Sequence, residues 1–217
     1  MAPSVVLLDL DGTLADSAPG IVASVEHALA ALGVASPGAD ALRAFMGPPM
    51  RQAFHDAFGF DAAETDRAVV AYREYFTARG IFECSLYEGI SDLLAELDSA
   101  GVRLALATSK PEVFAGRILE HLGVRGRFAA VCGADLDGRR ATKTDIVRDA
   151  LDALGAAAGP SVVMVGDREH DVTGASANGI RCIGVAWGYA QPGELERAGA
   201  SPIARSVEAL RHELVPV

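Results

Sequence analysis

The sequence has few cysteines, no long apolar run and a deficit of positive charge, and each scarcity argues against a class of protein. Cys84, Cys132 and Cys182 are odd in number and form no CxxC pair. They therefore predict buried free thiols in a reducing cytoplasm rather than a disulfide framework or a zinc site. No continuous apolar stretch approaches the roughly 18 residues of a membrane-spanning helix, so we expect none.

The charge balance is acidic. The chain carries 19 Lys and Arg against 29 Asp and Glu, a formal net charge of −10. This charge disfavours nucleic acids and anionic membranes as partners. The first apolar run, 5–8, has no basic residue before it and stops at Asp9, so we do not expect a signal peptide. These features predict a cytoplasmic protein.

The sequence contains several short apolar runs instead of one long apolar stretch. Each run is about the length of a strand and shows no polar alternation, which is typical of parallel strands covered on both faces. The runs are 4–8, 103–107, 129–132, 161–165 and 181–185. Helical patterns such as Ile90, Leu93 and Leu97 separate most of the later runs. This alternation predicts an α/β fold with a doubly wound parallel sheet.

A long segment after the first run breaks the alternation. Between residues 17 and 84 we find only helical patterns, of which Ile21, Val25 and Leu29 form one, and a sharp turn at Gly47. Such a segment is longer than ordinary connections between a strand and its neighbour. We therefore expect an α/β core domain formed by residues 1–16 and 85–217, with a small helical domain, 17–84, inserted after the first strand.

Two aspartates follow the first apolar run. Asp9 and Asp11 alternate by two, so they point to the same side of an extended segment, and Gly12 then allows the chain to turn. Open α/β sheets bind ligands at this end of their strands. Such a pair can bind a divalent cation, divide the roles of nucleophile and acid, or do both. The alternative, a polar turn with solvated aspartates, is disfavoured by the apolar run directly before the pair.

Further polar residues follow other runs. Thr108 and Ser109 follow the second run. Hydroxyl and backbone N–H groups at such a position can bind phosphate oxygens, and helix capping is the alternative role. Lys143 begins a helical pattern, where it opposes the helix dipole; a solvated surface lysine is the ordinary interpretation. Asp167 follows the run 161–165 and is placed to bind a metal, and Asp171 could contact metal-bound water or cap a short helix. Together these residues are predicted to meet at one sheet edge.

Four segments in this order resemble the motifs of the haloacid dehalogenase-like hydrolases, and the resemblance covers nearly the whole chain. They are Asp9-Leu-Asp-Gly-Thr-Leu, Thr108-Ser-Lys, Lys143 and Gly166-Asp-Arg-Glu-His-Asp. The helical insert resembles the small cap domain of subfamily I. Phosphoglycolate phosphatases and 5′-nucleotidases share this layout.

The resemblance implies a Mg²⁺-dependent phosphatase that works through an aspartyl-phosphate. In that family Asp9 would be the nucleophile and Asp11 the acid and base. Mg²⁺ would be held by Asp9, Asp167 and the backbone carbonyl of Asp11, with Asp171 nearby. Phosphate binding would fall to Thr108, Ser109 and Lys143, and the cap would select the substrate through candidates Arg43, Gly47 and Arg51.

Several alternatives stay open beside this expectation. Dehalogenases of the family lack the second carboxylate, which Asp11 supplies here. A phosphomutase of the β-phosphoglucomutase type usually carries an acidic pair where Gly166 precedes Asp167. A phospho-accepting receiver domain is about half this length and has no insert. A catalytically idle binding module would usually lack Asp9.

Two further points concern ligands. A nucleotide-binding protein would need a phosphate loop, and the segment 133–139 has the glycine spacing without the following Lys and Ser or Thr. The expected partner is a small phosphorylated metabolite, with phosphoglycolate, a 5′-nucleotide and a sugar phosphate as candidates. We expect a monomer or a homodimer.

Overall fold

The computed structural model describes residues 2–136 and 142–215, so the segment 133–139 lies partly outside the described residues. The chain divides into two compact units. One, the core unit, comprises Met1–Asp16 and Leu86–Val217, and the other, the insert unit, comprises Ser17–Ser85.

The core unit is built on a six-stranded sheet in which every neighbouring pair is parallel. The six strands of this sheet are β1 (Val5–Leu8), β4 (Arg103–Pro111), β5 (Phe128–Ala134), β6 (Val162–Gly166), β7 (Arg181–Val185) and β8 (Ile203–Ala204), and two further short strands are β2 (Ala15–Asp16) and β3 (Ser85–Leu86). The order across the sheet is β5-β4-β1-β6-β7-β8, and β2 pairs with β3 in a separate two-stranded sheet. The order reverses beside β1, as in doubly wound folds. The predicted fold class is thereby confirmed.

The central strands are apolar because both of their faces are covered. All residues of β1 and β6 are buried. The helices of the core unit are α5 (Ile90–Ser99), α6 (Glu112–His121), α7 (Lys143–Leu154), α8 (Glu169–Ala177), α9 (Glu194–Ala198) and α10 (Val207–Leu214), with a 3₁₀ turn at Arg125–Arg127. Helix α7 buries Ile146, Val147 and Leu151 in the same cluster as Leu7 and Met164 of the sheet. Removing such apolar side chains from water supplies most of the stabilisation of the layer.

Strand β4 is longer than the apolar run that predicted it. The run 103–107 ends where side chains become polar, whereas the strand continues to Pro111. Thr108 pairs with Gly133 and Pro111 with Ala134, so Ser109 and Lys110 form a bulge with no counterpart on β5. A Cβ at Gly133 would lie 2.6 Å from the carbonyl oxygen of Lys110, so this close approach requires glycine.

The insert unit is helical. Its helices are α1 (Ala18–Ala31), α2 (Ala39–Leu42), α3 (Met50–Phe58) and α4 (Ala62–Ala78), with 3₁₀ turns at Arg43–Phe45 and Gly80–Phe82. Helix α4 begins with a capping box, in which the Asp61 carboxylate accepts from the Glu64 N–H at 2.8 Å and the Asp61 N–H donates to Glu64 at 3.0 Å. Phe45 and Phe54 meet edge to face in the core of the unit, with ring centroids 5.0 Å apart.

Candidate active site

Three carboxylates converge at the carboxyl ends of β1 and β6. Leu8 and Val165 are paired neighbours, and the Asp9 N–H extends this ladder by donating to the Val165 carbonyl at 3.0 Å. Asp167 therefore emerges beside Asp9. One oxygen from each of Asp9, Asp167 and Asp171 lies within 4.8 Å of the other two, and all three residues are buried.

Lys143 places an ammonium group among these carboxylates. Its Nζ lies 2.9 Å from Asp9 Oδ1 and 2.7 Å from Asp171 Oδ1, and it donates to the Ala107 carbonyl at 3.0 Å. Burial acts to lower the pKa of Lys143, but Asp171 and Asp9 outweigh it and raise that pKa above its ordinary value. Helix α8 approaches closely because of Gly174, where a Cβ would lie 2.7 Å from Lys143 Cγ. Lys143 is therefore a fixed positive charge.

The lysine does not balance the carboxylates around it. Burial raises the pKa of Asp9 to about 6, against the opposing effect of Lys143 and with added repulsion from Asp171 and Asp11. The pKa of Asp167 is raised well above its ordinary value by burial first and then by Asp171 and Asp9. Ionised together, three carboxylates and one ammonium leave an excess of negative charge in a buried site. Oxygen donors with such an excess suit a divalent cation such as Mg²⁺.

Asp167 is held by the segment that follows β7. The backbone N–H of Tyr189 donates to Asp167 Oδ2 at 2.7 Å, and the Thr13 hydroxyl donates to Oδ1 at 3.3 Å. Two glycines permit this approach, because a Cβ at Gly12 or at Gly188 would lie 2.2 Å or 2.4 Å from Asp167 Oδ2. The orientation of the carboxylate is therefore set from two separate parts of the chain.

Asp171 caps the start of α8 and also belongs to the carboxylate cluster, while its contact with metal-bound water stays a prediction. It is the third residue of α8, and its Oδ2 accepts from the Arg168 N–H at 3.0 Å, which satisfies a free donor at the helix start. Its Oδ1 lies against Lys143. Gly166 is needed for this position, since a Cβ there would lie 2.1 Å from Asp171 Cγ. Helix capping and membership of the carboxylate cluster are therefore compatible.

The second predicted motif ends on a residue that the sequence analysis did not single out. Thr108 is buried and its hydroxyl accepts from the Lys110 N–H at 3.2 Å, whereas Ser109 is exposed. Lys110 Nζ lies 2.8 Å from Asp11 Oδ2. The Asp11 side chain thus faces a lysine and is not one of the three clustered carboxylates. Its expected contribution to a metal site, through the backbone carbonyl, stays a prediction.

The cap candidates all lie in the insert unit. Arg43 and Gly47 are exposed, and Gly47 has a φ of +106°. Arg51 is exposed, forms an ion pair with Asp66, and lines a surface groove of about 480 Å³ whose wall is largely apolar, including Phe60. A role of Arg43, Gly47 or Arg51 in substrate selection stays a prediction.

The fold and the site define a class of proteins in which an α/β core carries buried aspartates and a lysine at its strand ends. A family model described as haloacid dehalogenase-like hydrolase matches residues 6–185. The chain belongs to this family, and the resemblance drawn from the motifs is confirmed.

Individual relatives agree with this assignment. A 5′-nucleotidase of Pseudomonas aeruginosa is 43% identical over 96% of this chain and 94% of its own length. Tyrosine-protein kinase PtkA of Mycobacterium tuberculosis is also 43% identical, over 98% of this chain and 73% of its own length. A phosphoglycolate phosphatase of Xanthomonas campestris is 34% identical over 86% of this chain and 85% of its own length.

Solved structures show the same fold. A crystal structure of a predicted phosphatase from Clostridium acetobutylicum superposes with a TM-score of 0.90 at 41% identity and covers 98% of each chain. The expected enzyme class, phosphoric monoester hydrolase, is confirmed by these comparisons. Among the described residues, no helix combines the length and the apolar character needed to cross a membrane.

Proposed function

We propose that the protein is a Mg²⁺-dependent phosphatase that hydrolyses a small phosphomonoester through an aspartyl-phosphate on Asp9. The observation that carries the proposal is the convergence of Asp9, Asp167 and Asp171 within 4.8 Å, with Lys143 in contact with two of them. The phosphatase names of several relatives support the same reaction.

The metal requirement follows from the charge of the site. Asp9 and Asp167 would hold Mg²⁺, with Asp171 beside them, and the bound ion would neutralise charge on the transferring phosphoryl group. Two like charges about 4 Å apart repel by roughly 4 kcal/mol at an effective dielectric constant near 20. A phosphate dianion facing several carboxylates would therefore be repelled without compensating cations. A local cation site removes the difficulty of an anionic substrate on a protein of net charge −10.

The proposed reaction has two steps. In the first, a carboxylate oxygen of Asp9 attacks phosphorus, the bond from phosphorus to the leaving oxygen breaks, and Asp11 donates a proton to that oxygen. In the second, Asp11 takes a proton from water, whose oxygen attacks phosphorus and releases Asp9 and inorganic phosphate. Lys143 and the Thr108 hydroxyl hold the phosphoryl oxygens. One carboxyl group thus alternates between acid and base.

The substrate class is a small phosphorylated metabolite. We place 5′-nucleotides first and phosphoglycolate second, because the 5′-nucleotidase relative is the more similar and matches over nearly its whole length. The test is phosphate release from a panel of 5′-nucleotides, phosphoglycolate and sugar phosphates, ranked by kcat/KM with Mg²⁺ present. A 5′-nucleotide should rank first. No turnover of any phosphomonoester would contradict the phosphatase proposal itself.

A second candidate function rests on the relative named as a tyrosine kinase, which has the same 43% identity. A phosphoryl group on Asp9 would then pass to a tyrosine hydroxyl instead of water. Incubation with γ-labelled ATP distinguishes the two functions. The phosphatase proposal predicts no labelled phosphotyrosine from ATP and release of phosphate from phosphomonoesters, whereas label in phosphotyrosine would favour the kinase function.

A further inference from the structure

Lys110 is a cation with a largely covered side chain, and the proposed reaction does not use it. Its Nζ lies 2.8 Å from Asp11 Oδ2, and only 7% of its side chain is exposed. The chain contains two lysines, Lys110 and Lys143, although it has 19 basic residues when arginine is included. Both lysines contact carboxylates at the carboxyl ends of the sheet. A lysine is costly to bury, so its presence here calls for a reason.

The bulge in β4 determines where Lys110 lies. In a regular strand Lys110 would continue the ladder beyond Thr108, but its N–H donates instead to the Thr108 hydroxyl at 3.2 Å. The bulge falls at Ser109 and Lys110, and Gly133 allows β5 to approach the Lys110 carbonyl. Bulges near active sites commonly redirect a side chain. The backbone here brings the lysine to the first motif of the chain.

The two oxygens of Asp11 differ in their surroundings. Oδ2 is paired with Lys110, whereas Oδ1 is buried and accepts no hydrogen bond from any residue within 2–136 or 142–215. A buried carboxylate oxygen without a donor is uncommon. Fixing one oxygen restricts the rotation of the side chain and leaves the other to meet a group from outside the protein.

We propose that Lys110 is a positioning residue for Asp11, holding Oδ2 so that Oδ1 faces the leaving group in the first step and the attacking water in the second. The proposal rests on the proposed function, since it assigns Asp11 both proton transfers. It deepens that function by naming the group that orients the acid and base. Lys110 acts through Asp11 and does not itself contact the phosphoryl group.

The test compares Lys110→Met with the wild type on two substrates. Methionine keeps most of the length of the side chain and removes the charge. With an alkyl phosphate, kcat should fall by about 10-fold to 100-fold, a part of what a general acid contributes. With 4-nitrophenyl phosphate the first step needs no proton, so one equivalent of nitrophenolate should appear as a burst. Slow turnover should follow, and phosphorylated enzyme should accumulate.

Two further variants serve as controls. Lys110→Arg keeps a cation beside Asp11 and should restore most of the lost activity. Arg127→Met removes a cation from a surface pair with Asp98 at 3.5 Å and should leave both activities unchanged. An equal loss on both substrates without accumulation of phosphoenzyme would overturn the positioning role, and so would unchanged kinetics of Lys110→Met.

A second measurement leaves Lys110 unchanged, so it tests the proposal even if Lys110→Met does not fold. Protein labelled with ¹⁵N only at lysine contains two Nζ groups, because there are two lysines. Asp11→Asn should shift the Lys110 Nζ resonance and leave that of Lys143 nearly unchanged; an unmoved Lys110 signal would contradict the pair. If the wild type forms no phosphoenzyme at all, the proposed function fails. If the wild type forms the phosphoenzyme and Lys110→Met has the same kinetics as the wild type, only the positioning role of Lys110 is contradicted.

Discussion

The position of Asp9 in the fold buries its carboxyl group, whereas its proposed role as a nucleophile requires that group to be charged. The residue is enclosed because it follows a strand covered on both faces, and burial raises its pKa to about 6 even though Lys143 lies 2.9 Å away. A nucleophilic carboxylate must nevertheless be ionised at neutral pH. The folded protein without metal therefore carries an unfavourable charge in its site, as strained functional sites often do.

This conflict predicts how stability depends on pH in metal-free protein. The pKa of Asp9 rises from 3.8 in the unfolded chain to about 6 in the folded protein. Folded protein thus binds this proton more tightly, and its free energy of unfolding falls as pH rises from about 4 to about 6. Above about pH 6 the loss of stability caused by ionised Asp9 no longer changes with pH. It amounts to about 3 kcal/mol when the shift in the pKa of Asp9 is converted to a free energy.

Asp9→Asn should remove this loss, because asparagine stays neutral. With EDTA present, the variant should be more stable than the wild type at pH 7, and the difference should shrink towards pH 4. Urea unfolding at the two pH values measures it. A variant less stable than the wild type at pH 7 would show that the Lys143 ion pair outweighs the burial of the charge.

Residues of the site differ in how far the sequence could predict them. The sequence predicts Asp9, Asp167 and Lys143 as site residues, because each lies just after a strand or at the start of a helix. The contact of Lys110 with Asp11 depends on a bulge in β4, and no periodicity in the sequence reveals a bulge. Tyr189 binds Asp167 through its backbone N–H, a group that nearly every residue has, so no side-chain signal identifies it.

At the scale of elements, the segment after β7 acts as a support for the carboxylate that follows β6. Gly188 is the point of closest approach, since a Cβ there would meet Asp167 Oδ2 and the Gly12 carbonyl, each at 2.4 Å. Neither group is the flexible end of a long side chain, so an added methyl group must displace the segment or the carboxylate. Because Asp167 is a proposed metal ligand, this displacement should affect metal binding more than any other property.

Gly188→Ala should therefore require more Mg²⁺ for half-maximal activity, by about 10-fold or more, as loss of a supporting contact to a metal ligand does. A titration of activity against Mg²⁺ concentration measures the shift. Gly116→Ala is the matched control, because no described atom beyond the helix lies within 4 Å of the new Cβ in α6. The control should keep its Mg²⁺ dependence and gain up to about 1 kcal/mol of stability. An unchanged Mg²⁺ requirement in Gly188→Ala would contradict the support role.

Elements with strong apolar patterns were predicted well. All five apolar runs coincide with strands, two of them beginning one residue early, and the patterns through Leu93 and from Lys143 onwards lie on α5 and α7. Strand β8 was missed because its two residues are too short for a pattern. Helix α3 was not predicted as a separate element, although Met50, Ala53, Phe54, Ala57 and Phe58 recur at helical spacing, and two of them, Ala53 and Phe54, are buried.

At the scale of the whole molecule, the acidic chain is expected to depend on a bound cation. A ligand that binds only folded protein stabilises it in proportion to the logarithm of its concentration above the dissociation constant. Mg²⁺ should therefore raise the melting temperature of EDTA-treated wild type and restore its activity. Asp167→Asn should show a much smaller shift. Equal shifts in both proteins would place the cation elsewhere, and full activity in EDTA would remove the metal from the account.

The general organisation was predictable and the substrate was not. Strand runs alternating with helices specify a doubly wound sheet, because few topologies satisfy the handedness of their connections. Substrate choice is expected to depend instead on individual side chains of the insert unit, a role that stays a prediction. Arg51, for example, was a candidate on charge alone, and in the structure it pairs with Asp66. Such pairing between exposed residues leaves no mark in the hydrophobic pattern.

The most direct test of the central claim is to identify the residue that carries the phosphoryl group during turnover. Enzyme reacting with a phosphomonoester and Mg²⁺ is quenched in acid and reduced with borohydride, which converts an aspartyl-phosphate to homoserine, and the peptides are sequenced by mass spectrometry. With 4-nitrophenyl phosphate, whose first step needs no proton, Asp11→Asn should increase the yield by slowing hydrolysis. The account predicts homoserine at position 9 and at no other aspartate. Reduction at another aspartate, or an enzyme that turns over with no reducible acyl phosphate, would contradict it.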